Sequence, residues 1–364
     1  MRTVRGMRIV SVLAVGGLAL AAAACGDAPS DNDNAGSGAT TPAAKYKACM
    51  VTDIGGIDDR SFNTSAWKGL ENAKAKSPNI DTHNTSSTQE ADYKPNLTQY
   101  VQQKCNFVLA VGGLMFDATK EVAAANADSQ FAIVDAKIDA PNVYSMQFDT
   151  AQAAFLAGYL AAGMSKNGKV ATWGGLKIPP VTIFMDGFAD GVAHYNKTKN
   201  KKVAVLGWDK ATQAGTFSQS FIDQAKGKQL AETFIAQGAD VIMPVAGGAG
   251  LGTAAAAQAS GGKVAVIWVD VDGCQSAQQY CATFLTTVVK NIPDAVTEAV
   301  TKGSSSTAKL TGGTIGTLAN NGVSIAPYNQ YDSKVPAELK AEVDKLKADI
   351  IAGTIKVESP AQPK

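Results

Sequence analysis

From Lys45 onward the chain alternates short apolar runs with longer stretches of helical periodicity, and that alternation limits the fold more than any other feature. "YKACMVTD" reads as a strand, "SAWKGLENAKAK" as a helix, "NIDTHNTSS" as a weak strand, "ADYKPNLTQYVQQK" as a helix and "NFVLAVGG" as a strand. The helix "DATKEVAAANA" and the strands "QFAIVDA" and "NVYSMQF" complete this first series. A second begins with the helix "TAQAAFLAGYLAAGMSK" and the strand "KVATWGG", then the helix "TIFMDGFADGVAHYNK" and the strand "KVAVLGW". It continues through the helix "AKGKQLAETFIAQG", the strand "ADVIMPVAGG" and the helix "GTAAAAQAS" to "KVAVIWVDVD", its last strong strand. Such alternation predicts parallel, doubly wound sheets, and two series predict two similar α/β lobes joined by a hinge. No exact internal repeat is visible. The late helices "TTVVKNIPDAVTEAVTKG" and "PAELKAEVDKLKADIIAG" are expected to return across the junction. The expected first lobe spans 45–148 and about 272–318, and the second spans 149–271 and about 319–357.

The N-terminus has a different origin. "MRTVRGMR" is basic, "IVSVLAVGGLALAAAA" is apolar, and small residues precede Cys25, which is the order of an export signal over 1–24. The residues before Cys25 resemble a bacterial lipobox, with Ala22 where leucine is more common, so Cys25 is expected to carry the lipid. Residues 25–44 are polar and low in complexity, as in a flexible tether. A net charge of +1 with 18% charged residues leaves no electrostatic footprint for nucleic acid. With Cys25 set aside, four cysteines remain, Cys49, Cys105, Cys274 and Cys281, which allow three pairings in an exported chain. We favour Cys49–Cys105, joining two strands expected to be neighbours, and Cys274–Cys281, closing a short loop. The lack of a CxxC and the presence of only two histidines argue against zinc, and no cofactor is expected.

In open α/β sheets ligands bind beyond the carboxyl ends of the strands. Asp53, Asp117 and Asp270 stand at or just past such ends, as do "GGLKIPP" after Trp173 and "AGGAGLG" after Val245. Two lobes facing each other through these ends predict a clamshell that closes on a small molecule. Catalytic patterns are sparse. There is no GxSxG and no HExxH, and "STAK" at Ser306–Lys309 matches SxxK only inside a loop-like stretch without partner motifs. "AGGAGLG" lacks the Lys-Ser/Thr of a P-loop and the GxGxxG spacing. "DIGGIDD" lacks the alternating ligands of a calcium loop, which leaves Asp58 and Asp59 as loop charges or helix caps.

"MVTDIGGIDDRSFNTSAWKGL" resembles the signature of the basic membrane protein family of ABC-transporter substrate-binding lipoproteins, whose best-understood members bind purine nucleosides. Further matches run in order through "ADYKPNL", "VGGLMFDAT", "DTAQAAFLAGYLAA", "GGLKIPPVTIFMDGFADGV", "DQAKGKQLAETFIAQGADVIMPVAGGAGLG" and "WVDVDG". The resemblance implies that Phe62 stacks on a base, a role its aromatic face suits, although helical periodicity alone would place it in the core. It implies that Asn63, Asp53 and Asp117 meet the base edge, where capping is the alternative for Asn63 and Asp117. Asp270 and Lys290 would hold a ribose or pair with each other, and Gly247 and Gly248 would bring backbone amides to the sugar. Met243 stands where the family often has an aromatic, and Trp268 or Phe184 could supply a second aromatic wall. The implied partners are a purine nucleoside, an ABC permease and, through Cys25, the membrane, with the chain acting as a monomer outside the cell. Other readings are a sugar or another heterocycle as ligand, a sensory role, or an exported nucleosidase built on Asp53, Asp58 and Asp59.

Overall fold

Residues 45–363 are described by a computed structural model; the expected signal, lipidated Cys25 and tether lie outside them. The first sheet is built from β1 (Tyr46–Thr52), β2 (Ile80–Thr85), β3 (Phe107–Val111), β4 (Phe131–Val134) and β5 (Val143–Phe148). Between them run α1 (Phe62–Lys76), α2 (Tyr93–Gln102) and α3 (Phe116–Ala125). The chain then enters the second lobe through α4 (Thr150–Met164), β6 (Lys169–Gly174), α5 (Pro179–Lys199) and β7 (Ala204–Leu206). A small antiparallel pair, β8 (Trp208–Asp209) and β9 (Ala214–Gly215), precedes α6 (Gln224–Ala236), β10 (Val241–Val245), α7 (Leu251–Ala259) and β11 (Ala265–Asp270). The short α8 (Gly273–Ser276) leads to β12 (Phe284–Lys290). After it come α9 (Ile292–Ser305), β13 (Gly312–Gly316), β14 (Val323–Ile325) and α10 (Ala337–Ile351).

The sheets have the orders β13-β5-β4-β3-β1-β2 and β14-β12-β11-β10-β6-β7, parallel except for the antiparallel β14. Leu109, Val111, Ile133 and Val134 in one sheet and Val241, Ile242, Ile267 and Val288 in the other are buried. Continuous apolar strands of this kind are required when helices cover both faces of a sheet. The architecture is therefore two doubly wound lobes joined by a hinge.

The late part of the chain departs from expectation. "TTVVK" is not helical: it belongs to β12, which pairs with β11 in the second sheet. The first lobe's second piece therefore cannot begin near 272. The return comes at Asn291, after which α9 packs on α1 and β13 pairs with β5. Thr286, Thr287, Val288 and Val289 are β-branched and suit a pleated surface. Asn291 caps α9 through Asp294 N–H, with proline at its first turn, so the helix starts only there. The chain crosses between lobes at Asp149, at Asn291 and through 317–322. These crossings lie side by side: Asp149 N donates to Gly316 O at 2.8 Å and Asn291 N to Gly322 O at 2.9 Å.

Both favoured disulfides are present. Cys49–Cys105 ties β1 to the approach to β3, and Cys274–Cys281 closes the loop before β12.

Candidate ligand-binding site

β1 ends in Thr52, and Asp53 follows it into a buried position. A carboxylate there needs donors. Its Oδ1 accepts from Gly55 N at 2.9 Å and from Asn63 Nδ2 at 2.8 Å. Glycine is required on both sides: a Cβ on Gly55 would come within 2.8 Å of Asn63 Nδ2, and one on Gly112, whose φ is +120°, within 2.8 Å of Asp53 Oδ2. Burial raises the Asp53 carboxyl above the ordinary range, while the bonds from Asn63 and Gly55 work the other way.

Asp59 has a structural task. It accepts from the backbone N–H groups of Ser61 at 3.0 Å, Asn63 at 2.8 Å and Thr64 at 3.0 Å, and so satisfies donors at the start of α1. Of the two readings of this residue from sequence, the cap is what the structure shows. The cap also turns Phe62 and Asn63 toward the space between the lobes, where both line the cavity with Asp59.

That cavity lies at the carboxyl ends of both sheets, with about 520 Å³ of empty space when its open mouth is included. The first lobe contributes Asp53, Gly55, Phe62, Asn63, Gly112 and Asp135. From the second come Val181, Phe184, Phe221, Val245, Gly247 and Asp270, with Lys290 on its floor. Lys290 is 3% exposed; it sits 2.5 Å from Asp135 Oδ2 and 3.6 Å from Asp270 Oδ1. Burial opposes its charge, yet the two carboxylates outweigh that and hold its pKa above the usual lysine range. Its ammonium also lies 4.6 Å from the centre of the Phe62 ring and 5.4 Å from that of Phe184. Across the cleft Ser61 Oγ donates to Asp270 Oδ2 at 2.6 Å, and Trp268 Nε1 to Arg60 O at 3.4 Å.

Asp53, Phe62, Asn63, Gly247, Asp270 and Lys290 are thus brought together around one space. Three expected residues are not. Asp117 is exposed in the first turn of α3, carried away from the strand end by a 3-10 turn over Gly113–Met115. Met243 lies inside β10, fully buried between its neighbours, so it cannot cover a ring face in the cleft. Gly248 is buried one residue beyond Gly247 and does not line the cavity. Of the two aromatics without a place, Phe184 lines the cavity, whereas Trp268 packs on Phe284 in the core. Asp135 was missed, although "AIVDA" ends β4 with the same Val-Asp pair that "VIWVDV" shows at the end of β11. "STAK" holds no catalytic pair. Ser306 Oγ is engaged within its own turn by Ala308, and Lys309 Nζ donates to Ala127 O.

Two parallel-sheet lobes with three crossings and a largely apolar cavity that holds a few charged groups between strand ends define the class of two-lobed ligand-binding folds. A solute-binding protein of an ABC transporter system from Aeropyrum pernix K1 superposes with a TM-score of 0.78 at 23% identity, covering 87% of this chain and 94% of that one. Another, from Conexibacter woesei, gives 0.65 at 21% identity, over 86% of this chain and 98% of that one. In sequence, the "ABC transporter nucleoside-binding protein BmpA" of Lactococcus lactis subsp. cremoris is 33% identical over 96% of this chain and 99% of its own. The "CD4+ T-cell-stimulating antigen" of Listeria innocua is also 33% identical, over 97% and 98%. The model of the family "ABC transporter substrate-binding protein PnrA-like" matches residues 46–359, and the chain belongs to that family.

Proposed function

We propose that this chain captures a nucleoside, in the first place a purine nucleoside, in the interlobe cavity and hands it to an ABC permease. The observation that carries the reading is the pairing of two chemistries in one buried space. Phe62 and Phe184 offer aromatic faces, while Asp53, Asn63, Asp135, Asp270 and Lys290 offer polar atoms beside them. A nucleoside needs both: its base presents a flat face and a hydrogen-bonding edge, and its ribose presents a diol. The Lactococcus relative named for nucleoside binding supports the same reading. In this scheme Phe62 stacks on the base, Asp53 and Asn63 meet its edge, and Asp270, Lys290 and Gly247 hold the sugar.

The lobes close around the ligand because only the closed state makes contacts from both sides. No bond is broken. The protein is exported, held at the outer face of the membrane by a lipid on Cys25, and acts as a monomer.

Calorimetric titration of the purified protein with adenosine, guanosine, inosine, cytidine, uridine, ribose and free bases tests this. Purine nucleosides should bind at micromolar concentration or below, with ribose and free bases much weaker, and chromatography should return the nucleoside intact. Release of free base would make the protein a nucleosidase. Full affinity in Phe62→Ala or Asp270→Ala would overturn the site assignment.

A further inference from the structure

Two of the three crossings between the lobes meet at Asp149. Its N–H donates to the carbonyl of Gly316, the last residue of β13, at 2.8 Å, so its backbone is held to the first sheet. Its side chain is buried, and Oδ2 accepts from Gln152 Nε2 of α4 at 2.9 Å and from Gln362 Nε2 at 3.0 Å. Gln152 Oε1 in turn accepts from Leu318 N, in another crossing, at 2.9 Å. Asp149 Oδ1 is buried with no partner among the described residues, so the side-chain partners of this carboxylate there are the two glutamine amides.

Gln362 lies three residues past the span, 46–359, that matches the family model. It reaches the hinge on a short turn, in which Ala361 N donates to Ser359 Oγ at 3.0 Å and Gln362 N to Ser359 O at 3.1 Å. The turn is anchored to the second lobe: Ser359 Oγ donates to Asp186 Oδ2 and Lys210 Nζ to Glu358 O, each at 2.6 Å. Asp186, in α5, is fully buried and also accepts from Trp208 Nε1 at 3.0 Å and Gln213 Nε2 at 2.9 Å. A buried carboxylate with three donors is a firm anchor, because losing any one of them is costly. Both hydrogens of the Gln362 amide are used, one on Asp149 and the other on Val357 O at 2.9 Å. Beside it, Pro360, Ala361 and Gln362 line one groove with Phe116, Lys137 and Gln147 of the first lobe.

We propose that residues 357–362 are a hinge clamp: a strap fixed to the second lobe that holds Asp149 through Gln362 and so favours the closed arrangement before any ligand arrives. Opening turns the first lobe about the crossings, and with it the backbone that carries Asp149, while the strap stays on α5. The bond from Gln362 is then stretched or lost, and a buried carboxylate is left short of a donor. The clamp is a bias and not a lock. One hydrogen bond to a charged group is worth about tenfold in the ratio of the two states.

Small-angle X-ray scattering from the purified protein without ligand tests this, because an open and a closed arrangement differ in radius of gyration. The unmodified protein should hold a closed fraction. Gln362→Ala should move the closed-to-open ratio about tenfold toward open, with a larger mean radius of gyration. Gln362→Glu, which sets a second carboxylate against Asp149, should move it at least as far. Ser359→Ala, which frees the strap from Asp186, should act in the same direction. The melting temperature is the control: a strap that only packed on the second lobe would lower it in the variants and leave the scattering alone. Unchanged scattering in the Gln362 variants, or a ligand-free protein that is open throughout, would overturn the clamp. Should one variant not fold, the other two decide the matter. No ligand enters the measurement, so its failure is distinct from a failure of the nucleoside reading.

Discussion

In the first lobe β4 leads into Asp135, and in the second the strand at the same place in the order, β11, ends in Asp270. Both aspartates follow a valine, and both adopt the left-handed backbone region, with φ of +66° and +69°. That conformation costs a non-glycine residue roughly 1–2 kcal/mol, and aspartate tolerates it better than most. Each lobe makes the same turn to aim a carboxylate at the cleft. One strand further along the likeness ends. β5 finishes in Phe148 and β12 in Lys290, so two related acids share one cation supplied by the second lobe alone. The remaining polar groups are unequal too: β1 is followed by Asp53, and β6, its counterpart, ends in Gly174. The frame is repeated while the chemistry is not, which is how one fold comes to hold an asymmetric ligand.

Lys290 is the largest test of that asymmetry. Lys290→Ala would leave Asp135 and Asp270 buried without their cation, a loss of about 3–5 kcal/mol in chemical denaturation. A mild effect would mean that the two acids do not depend on a single partner. The disulfides form a second comparison between lobes. Cys49–Cys105 spans 56 residues and Cys274–Cys281 spans 7. Loop-closure entropy assigns about 4 kcal/mol to the first and about 2 kcal/mol to the second. Paired Cys→Ala variants should therefore lower stability about twice as much in the first lobe as in the second, and the reverse order would show that strain or denatured-state structure governs.

How legible this was follows from the same residues. The sheets could be read because parallel strands buried on both faces stand out as apolar runs, and Asp53 and Asp270 were visible as charges at the ends of such runs, whereas Lys290 came only through the family resemblance. β12 was hidden because "TTVVK" joins "NIPDAV" without a break, and one helical pattern was laid across both. Asp135 was hidden by its shorter strand, and only alignment of the two lobes makes "IVDA" match "WVDV". Asp117 looked like a strand-end residue because a 3-10 turn between strand and helix leaves no mark in the hydrophobic period. Met243 is away from the cavity for a different reason: it shares a face of β10 with Val245, which does line the cavity, but stands two residues further back along the strand, where the core covers it.

The two strand-end aspartates should also separate by measurement. Asp135 makes the shorter contact with Lys290, so Asp135→Asn should cost the larger share of stability, about 1–3 kcal/mol. Asn at 270 can still accept from Ser61, so Asp270→Asn should cost less stability but more ligand affinity if it holds the sugar. Equal losses of both kinds in the two variants would make the acids interchangeable and the asymmetry superficial.

The smallest expected effect concerns the contact between lobes. Ser61 comes from the loop that caps α1, and its hydroxyl crosses the cleft to Asp270. In an open state both groups would be bonded to water, so the net gain on closure is about 1 kcal/mol. Ser61→Ala should leave thermal stability nearly unchanged. It should weaken ligand binding by about fivefold, because the open state gains population against the closed one. The loss should fall mainly on the dissociation rate, since the bond forms only once the lobes have met. Stopped-flow release of a fluorescent nucleoside would measure this. An unchanged dissociation rate would mean that closure is driven by the ligand alone, and that the first-lobe loop serves only to hold Asp53, Phe62 and Asn63 in place.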